Sequence, residues 1–287
     1  MSAVFQREFK SYFTGFMGYI FAAFMLLFEG IYVIVINLLN GLASFEFTLE
    51  NIIVVFLLII PIICMRSISE ERQSKTDQLL YSLPIKTSSI VLGKYFALLA
   101  VALIPTVIIG IYPIILNFFG NVNLINAYAC LFAFYLLAAA LISICMFASS
   151  LTESPIVAAV LGFSALMVLY LAPMISAIIP TSAIASLICL GILILVVALI
   201  SYNMTKSSQI SLGICIILAI PSIVVYFLKP SLLEGLFPAI MGKLAVFESY
   251  MQFIYGIFDV TTIIYYLCII VFFVFLTVES MEKKRWC

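Results

Sequence analysis

The chain has 287 residues, 66% of them hydrophobic and only 9% charged, with a formal net charge of zero. A soluble domain is about 45–50% apolar and about 25% charged, so the composition excludes a soluble fold and predicts an integral membrane protein. Histidine is absent, which removes the usual imidazole metal ligand and general base, and no basic patch suits nucleic acid.

The opening residues 1–16 place Phe5, Phe9, Tyr12, Phe13 and Phe16 on one helical face, with Gln6, Arg7, Lys10 and Thr14 on the other. That pattern predicts an interfacial helix lying on a bilayer. The apolar run that follows is too long for the core of a signal peptide. From there the sequence holds unbroken apolar runs of about twenty residues, the length a helix needs to cross the hydrocarbon, rather than the alternation of a barrel strand. Candidate spans are 17–39, 51–65, 89–117, 127–149, 156–179, 183–203, 210–228 and 261–279. The fold class is therefore all-α, a polytopic membrane helical bundle of about eight transmembrane helices in a single domain, 1–287. Pro61, Pro105, Pro113, Pro173 and Pro221 fall inside spans and predict kinks.

Glu29 lies about twelve residues into the first span. An acid at membrane depth normally faces a cavity or a partner, so it is a candidate path or helix-interface residue. Six of the seven cysteines lie in apolar runs and none pairs as C-x-x-C, which predicts buried apolar thiols and no metal site.

The most informative stretch is the polar island 66–84, RSISEERQSKTDQLLYSLP, between the second and third spans. Ser67 and Glu70 have the spacing of a capping box, Glu71 and Lys75 that of an i,i+4 pair, and Pro84 supplies a stop. A short cytoplasmic helix is expected here, with Leu79, Leu80 and Leu83 as its apolar edge. With eight spans both termini share a side with this island, and of the 13 Lys and Arg only Lys229 and Lys243 fall opposite. The positive-inside rule then makes the termini, the island and the loop 149–154 cytoplasmic. Residues 229–259, where Lys243 and Pro238 argue against a further span, read as broken amphipathic helices at the outer leaflet.

The run Met65-Arg66, Glu70-Glu71-Arg72, Thr76, Leu79-Leu80, Leu83-Pro84 and Ile90-Val91-Leu92-Gly93-Lys94 resembles the permease subunits of type-2 ABC transporters. Within them it is most similar to the gliding-motility and nitrous-oxide-reductase-maturation branch. Further pieces agree in order: Arg7-Glu8-Phe9-Lys10 with Gly18-Tyr19, Leu151-Thr152-Glu153, Phe247 to Asp259, and Glu282 to Trp286. The family often has Gly-Thr where this chain has Lys75-Thr76, and the hairpin 183–228 looks added to the six-span plan.

The resemblance implies a coupling helix at 66–84 that docks on a cytosolic ABC ATPase subunit through Glu70, Glu71, Arg72, Lys75 and Thr76, with Leu79 and Leu80 anchoring it. It implies a second contact at Thr152 and Glu153, a second permease chain forming a dimer, and a plasma-membrane location with export of a cargo that the sequence does not name; an apolar lining would suit lipids, peptides or other amphiphiles. No cofactor is expected in this chain; ATP and magnesium would sit on the partner, since no G-x-x-x-x-G-K-[ST] run is present. The alternative class is an ATP-independent carrier, channel or scaffold in the same bilayer. An enzyme is not expected: Gly162-Phe163-Ser164 has the look of an intramembrane protease motif but lacks a histidine base.

Overall fold

The computed structural model describes residues 2–76, 86–178 and 234–286, with isolated positions between 180 and 217. Two compact units share the chain, Met1–Met167 with Phe247–Cys287, and Val168–Val246. All the regular elements among the described residues are helices.

The first unit opens with α1, Ser2–Thr14. Phe16, in the left-handed region at φ 58°, turns the chain into α2, Met17–Tyr32, which continues as a π-helical stretch Val33–Leu39. Asn37 in that stretch donates to the carbonyls of Leu42 and Ser44 and accepts from the Thr48 hydroxyl, which fastens the following loop. Next come α3, Glu46–Gln73, then α4, Thr87–Ile109, and the short α5, Tyr112–Phe119. The bundle continues with α6, Leu124–Leu151, capped by the Asn123 side chain, and α7, Pro155–Ile178. Two short helices, α8 (Leu236–Leu244) and α9 (Val246–Ile254), precede the last, α10 (Val260–Trp286). Asp259 caps α10 by accepting from the Thr261 amide and the Thr262 hydroxyl.

Among the described residues, six helical segments are long and apolar enough to cross a membrane: Met17–Leu39, Glu46–Gln73, Thr87–Phe119, Leu124–Leu151, Pro155–Ile178 and Val260–Lys284. They coincide with six of the eight expected spans. The other two, 183–203 and 210–228, lie for the most part outside the described residues. The second span, too short if it ended at Met65, gains length at both ends.

Burial ranks the helices. α3 and α6 are enclosed over most of their apolar length, whereas α2 and α10 expose most of theirs. For α6, small residues contribute to that enclosure. α6 carries Ala133, Ala138, Ala139, Ala140, Ser143, Ala148 and Ser149, all buried, and small residues let neighbouring backbones approach closely. Phe56 of α3 stacks on Phe134 of α6 at 4.4 Å, and Phe134 in turn meets Tyr250 of α9. Gly162 of α7 packs where a Cβ would meet Cys145 Sγ at 3.3 Å and Pro61 Cβ at 3.4 Å. Its neighbour Ser164 is exposed and donates to the Leu161 carbonyl. Gly162 is thus a close-packing position between α3 and α6. In the second unit, Ala172, Phe237 and Met241 form a small core with Ile175, Leu190 and Ile240 against it.

The island departs from its expected form. No helix starts at Ser67: α3 runs unbroken to Gln73, and the Ser67 hydroxyl is buried without a hydrogen-bond partner among the described residues. The capping box is overridden because Ser67 and Ser69 face α6, where the Ser149 hydroxyl accepts from the Ile68 and Ser69 amides. Nor do Glu71 and Lys75 pair; the i,i+4 pair on this helix is Arg66 with Glu70 at 3.3 Å. The helix ends instead in a Schellman turn. Lys75 adopts φ 57°, its amide reaches the Arg72 carbonyl at 3.0 Å, and the Thr76 amide reaches that of Glu71 at 2.9 Å. The remaining expected part of the island helix, 77–84, lies outside the described residues.

Candidate functional site

Three helices meet at the island end of the first unit. α1 turns Val4, Glu8 and Tyr12 inward, one residue per turn, against α4 and the end of α3. Beside that stripe, Phe5, Phe9 and Phe13 form a half-buried aromatic row with ring centroids 5.9 and 5.0 Å apart. The amphipathic expectation for residues 1–16 therefore holds as a helix. Its most enclosed polar residue, Glu8, is one that the aromatic pattern does not pick out.

Glu8 is buried because Lys94 is. The Lys94 ammonium, on α4 and 1% exposed, lies 3.1 Å from Glu8 Oε1 and 2.8 Å from Glu71 Oε2, and donates to the Ser67 carbonyl at 2.8 Å. Arg7 closes the ring from the water side, with Nη2 2.5 Å from Glu8 and 2.6 Å from Glu71. Two cations and two carboxylates thus alternate across α1, α3 and α4. Burial would raise the Glu8 carboxyl, but the Lys94 ammonium and the hydrogen bonds from Arg7 and Lys94 outweigh it and hold the group below the usual carboxylate range.

A second tie joins α3 to α6 and α10. Arg72 is buried and its Nη1 donates to the Ser150 carbonyl, which also accepts from the Ser280 hydroxyl of α10. Lys284 of α10 lies 4.0 Å from Glu153 in the loop after α6. Between α1 and α3 a cleft of about 600 Å³ opens, lined by Arg7, Ser11, Arg66, Glu70, Glu71 and Ser74 among others.

The expected contact residues thus divide. Glu70, Lys75 and Thr76 are exposed or half exposed at the tip of α3, and Glu153 is 77% exposed on the neighbouring loop beside half-buried Thr152. Arg72 points inward: its Nη1 donates to a carbonyl, and Nε and Nη2 are buried without a hydrogen-bond partner among the described residues. Glu71 is committed to Lys94 and Arg7. Leu79 and Leu80 lie outside the described residues. Glu29 is nowhere near this cluster in sequence or contact: it is fully enclosed in the bundle, and neither carboxyl oxygen has a hydrogen-bond partner among the described residues.

Sequence reasoning missed Glu8 and Lys94 as a pair. The available signal was Lys94 itself, a charge inside the apolar run Ile90–Leu98, which costs about 2.5–3.5 kcal/mol at mid-helix on insertion scales and so demands a counter-ion. Among the described residues no group of acids, cysteines and histidines is placed to hold a metal ion.

Residues 37–186 match the family model described as ABC-2 family transporter protein. The chain belongs to the ABC-2 transporter family. It is a multi-pass membrane protein and the transmembrane permease subunit of an ABC transporter, in a family whose membrane subunits carry no nucleotide-binding domain and act with an ATPase. Comparison with curated proteins and with solved structures gives no match. The matched stretch takes in α3, the island, α4, α6 and α7. Arg7 and Glu8, which this ABC-2 permease folds onto that stretch, come from outside it.

Proposed function

We propose that this ABC-2 permease serves an ATP-driven exporter, and that its ATPase grips the exposed tip of α3. One observation carries the reading: Glu70, Lys75 and Thr76 stand at the end of a helix that continues without a break as one of the two most enclosed spans among the described residues. A load on the tip passes into the bundle because Lys94, Glu8, Arg7 and Arg72 leave that end no freedom to fray. The tip and Glu153 form the docking surface, narrower than the set the resemblance implies. ATP and magnesium sit on the ATPase, and two permease chains pair around the cargo path. The island end, with both termini, faces the cytoplasm of a plasma membrane, in agreement with the Lys and Arg bias. The branch resemblance to gliding-motility and nitrous-oxide-reductase-maturation permeases belongs to the same proposal, as does an amphiphilic cargo.

The test reverses charge only at exposed positions, Glu70→Lys with Lys75→Glu. Like charges placed across an interface cost several kcal/mol, so co-purification of the ATPase should fall about tenfold or more while the permease keeps its thermal midpoint. Loss of the Arg66–Glu70 pair adds little, as exposed pairs are worth about 0–1 kcal/mol. Full retention of the ATPase and of ATP-dependent transport in this variant would refute the docking surface.

A further inference from the structure

The cleft between α1 and α3 has a charge pattern that the buried ring does not use up. Arg7 spends only Nη2 on its two carboxylates, and Arg66 spends only Nε on Glu70. The other guanidinium N–H groups of both have no protein acceptor among the described residues, and their side chains are 52% and 40% exposed. Glu70, 48% exposed, keeps Oε1 without a protein donor. Two half-open cations and one half-open carboxylate therefore line one cleft of about 600 Å³, a volume typical of small-molecule sites.

Met17, the first residue of α2, lines this cleft and also a second, apolar groove between α2 and α3. That groove holds about 80 Å³ and is walled by Ile20, Phe24, Ile59 and Ile63. A polar basin thus opens onto an apolar channel where the interfacial helix gives way to the first span. This is the profile of an amphiphile lying at a membrane surface, head in the basin and chain in the groove. Around the head the formal charges balance, Arg7, Arg66 and Lys94 against Glu8, Glu70 and Glu71. An anionic head would gain the guanidiniums but meet Glu70, whereas a zwitterion satisfies both signs.

We propose that this cleft is a binding site for a zwitterionic phospholipid with a primary ammonium, its phosphate between Arg7 and Arg66 and its ammonium on Glu70. Glu70 also lies on the proposed ATPase docking surface, so the site is tested on the permease without the ATPase.

The permease, purified in mild detergent, is titrated with phosphatidylethanolamine, phosphatidylcholine and phosphatidylglycerol and read by native mass spectrometry. Phosphatidylethanolamine should be retained about tenfold over phosphatidylglycerol, a difference of about 1.4 kcal/mol. Phosphatidylcholine should fall between them, since its quaternary ammonium has no N–H for Glu70. Arg66→Gln with Glu70→Gln should erase the preference, and Ile20→Trp, which fills the groove from an exposed position, should lower retention of all three. Equal retention of the three lipids by the unaltered chain, or an unchanged preference in the double variant, overturns the site. If either variant misfolds by gel filtration, the competition on the unaltered chain decides alone.

Discussion

Lys94 shows why a single buried charge can hold three helices. Its ammonium has no water to fall back on, and its three partners come from α1 and α3. Truncating one member of a buried ion pair typically costs about 3–5 kcal/mol, because the other charge is left uncompensated. Lys94→Met should therefore destabilise the purified permease by that order, seen as a lowered thermal midpoint, and release α1. An unchanged midpoint would mean that the carboxylates find water instead. Acid should act on the same ring through Glu8. Its folded value lies below its ordinary 4.5, so its stabilisation is present above that ordinary value and fades as pH falls through the lowered one. A stability profile should lose α1 docking as pH falls below the ordinary carboxylate range, and Glu8→Gln should flatten that loss while starting from lower stability at neutral pH. Identical acid profiles for the two proteins would remove Glu8 from the account.

At the scale of the element, the end of α3 illustrates competition between a local signal and its surroundings. Ser67 and Glu70 have the spacing of a helix start, yet a helix already running from Glu46 absorbs them, since Ser69 and Arg72 reach partners on α6. Local spacing could not show that, because the deciding carbonyl and hydroxyl lie some eighty residues away. Six spans were legible, being set by run length alone, and so was the amphipathic α1. The polar island was legible as a polar segment between the second and third spans, but not which of its side chains turn inward. The Lys75-Thr76 departure from the family's Gly-Thr now has a physical meaning. Lys75 sits at the position where a Schellman turn takes a left-handed residue, usually glycine. A side chain there costs roughly 1–2 kcal/mol relative to right-handed backbone. Lys75→Gly should therefore stabilise the tip by about 1 kcal/mol, seen as slower amide exchange at Lys75 and Thr76. Faster exchange at those amides would show that the lysine stem contributes more than its backbone strain costs.

For the whole molecule, the ties at the island end bear on the topology proposed for the chain. α7 leaves that end at Pro155 and, at 24 residues, is about 36 Å long, enough to reach the other side. α10 returns to the island end, where Ser280 meets the Ser150 carbonyl and Lys284 approaches Glu153. Its start lies at the opposite end, since Phe253 of α9 accepts from Cys130 near the start of α6, and Gly256 lies beside Asn126. Both termini can share a side only if the stretch between α7 and α10 adds an even number of crossings to the six candidate spans among the described residues. The expected hairpin 183–228 satisfies that parity and a single additional span does not. Short epitope tags inserted after Pro180 and after Glu234 should therefore become accessible from the same face, opposite to a tag at Lys75. A third tag after Lys206 separates the two allowed cases, sharing the face of Lys75 if the hairpin crosses and the face of the other two if it does not. Tags at Pro180 and Glu234 on different faces would break the parity, and with it the placement of both termini on the side where the ATPase is proposed to dock.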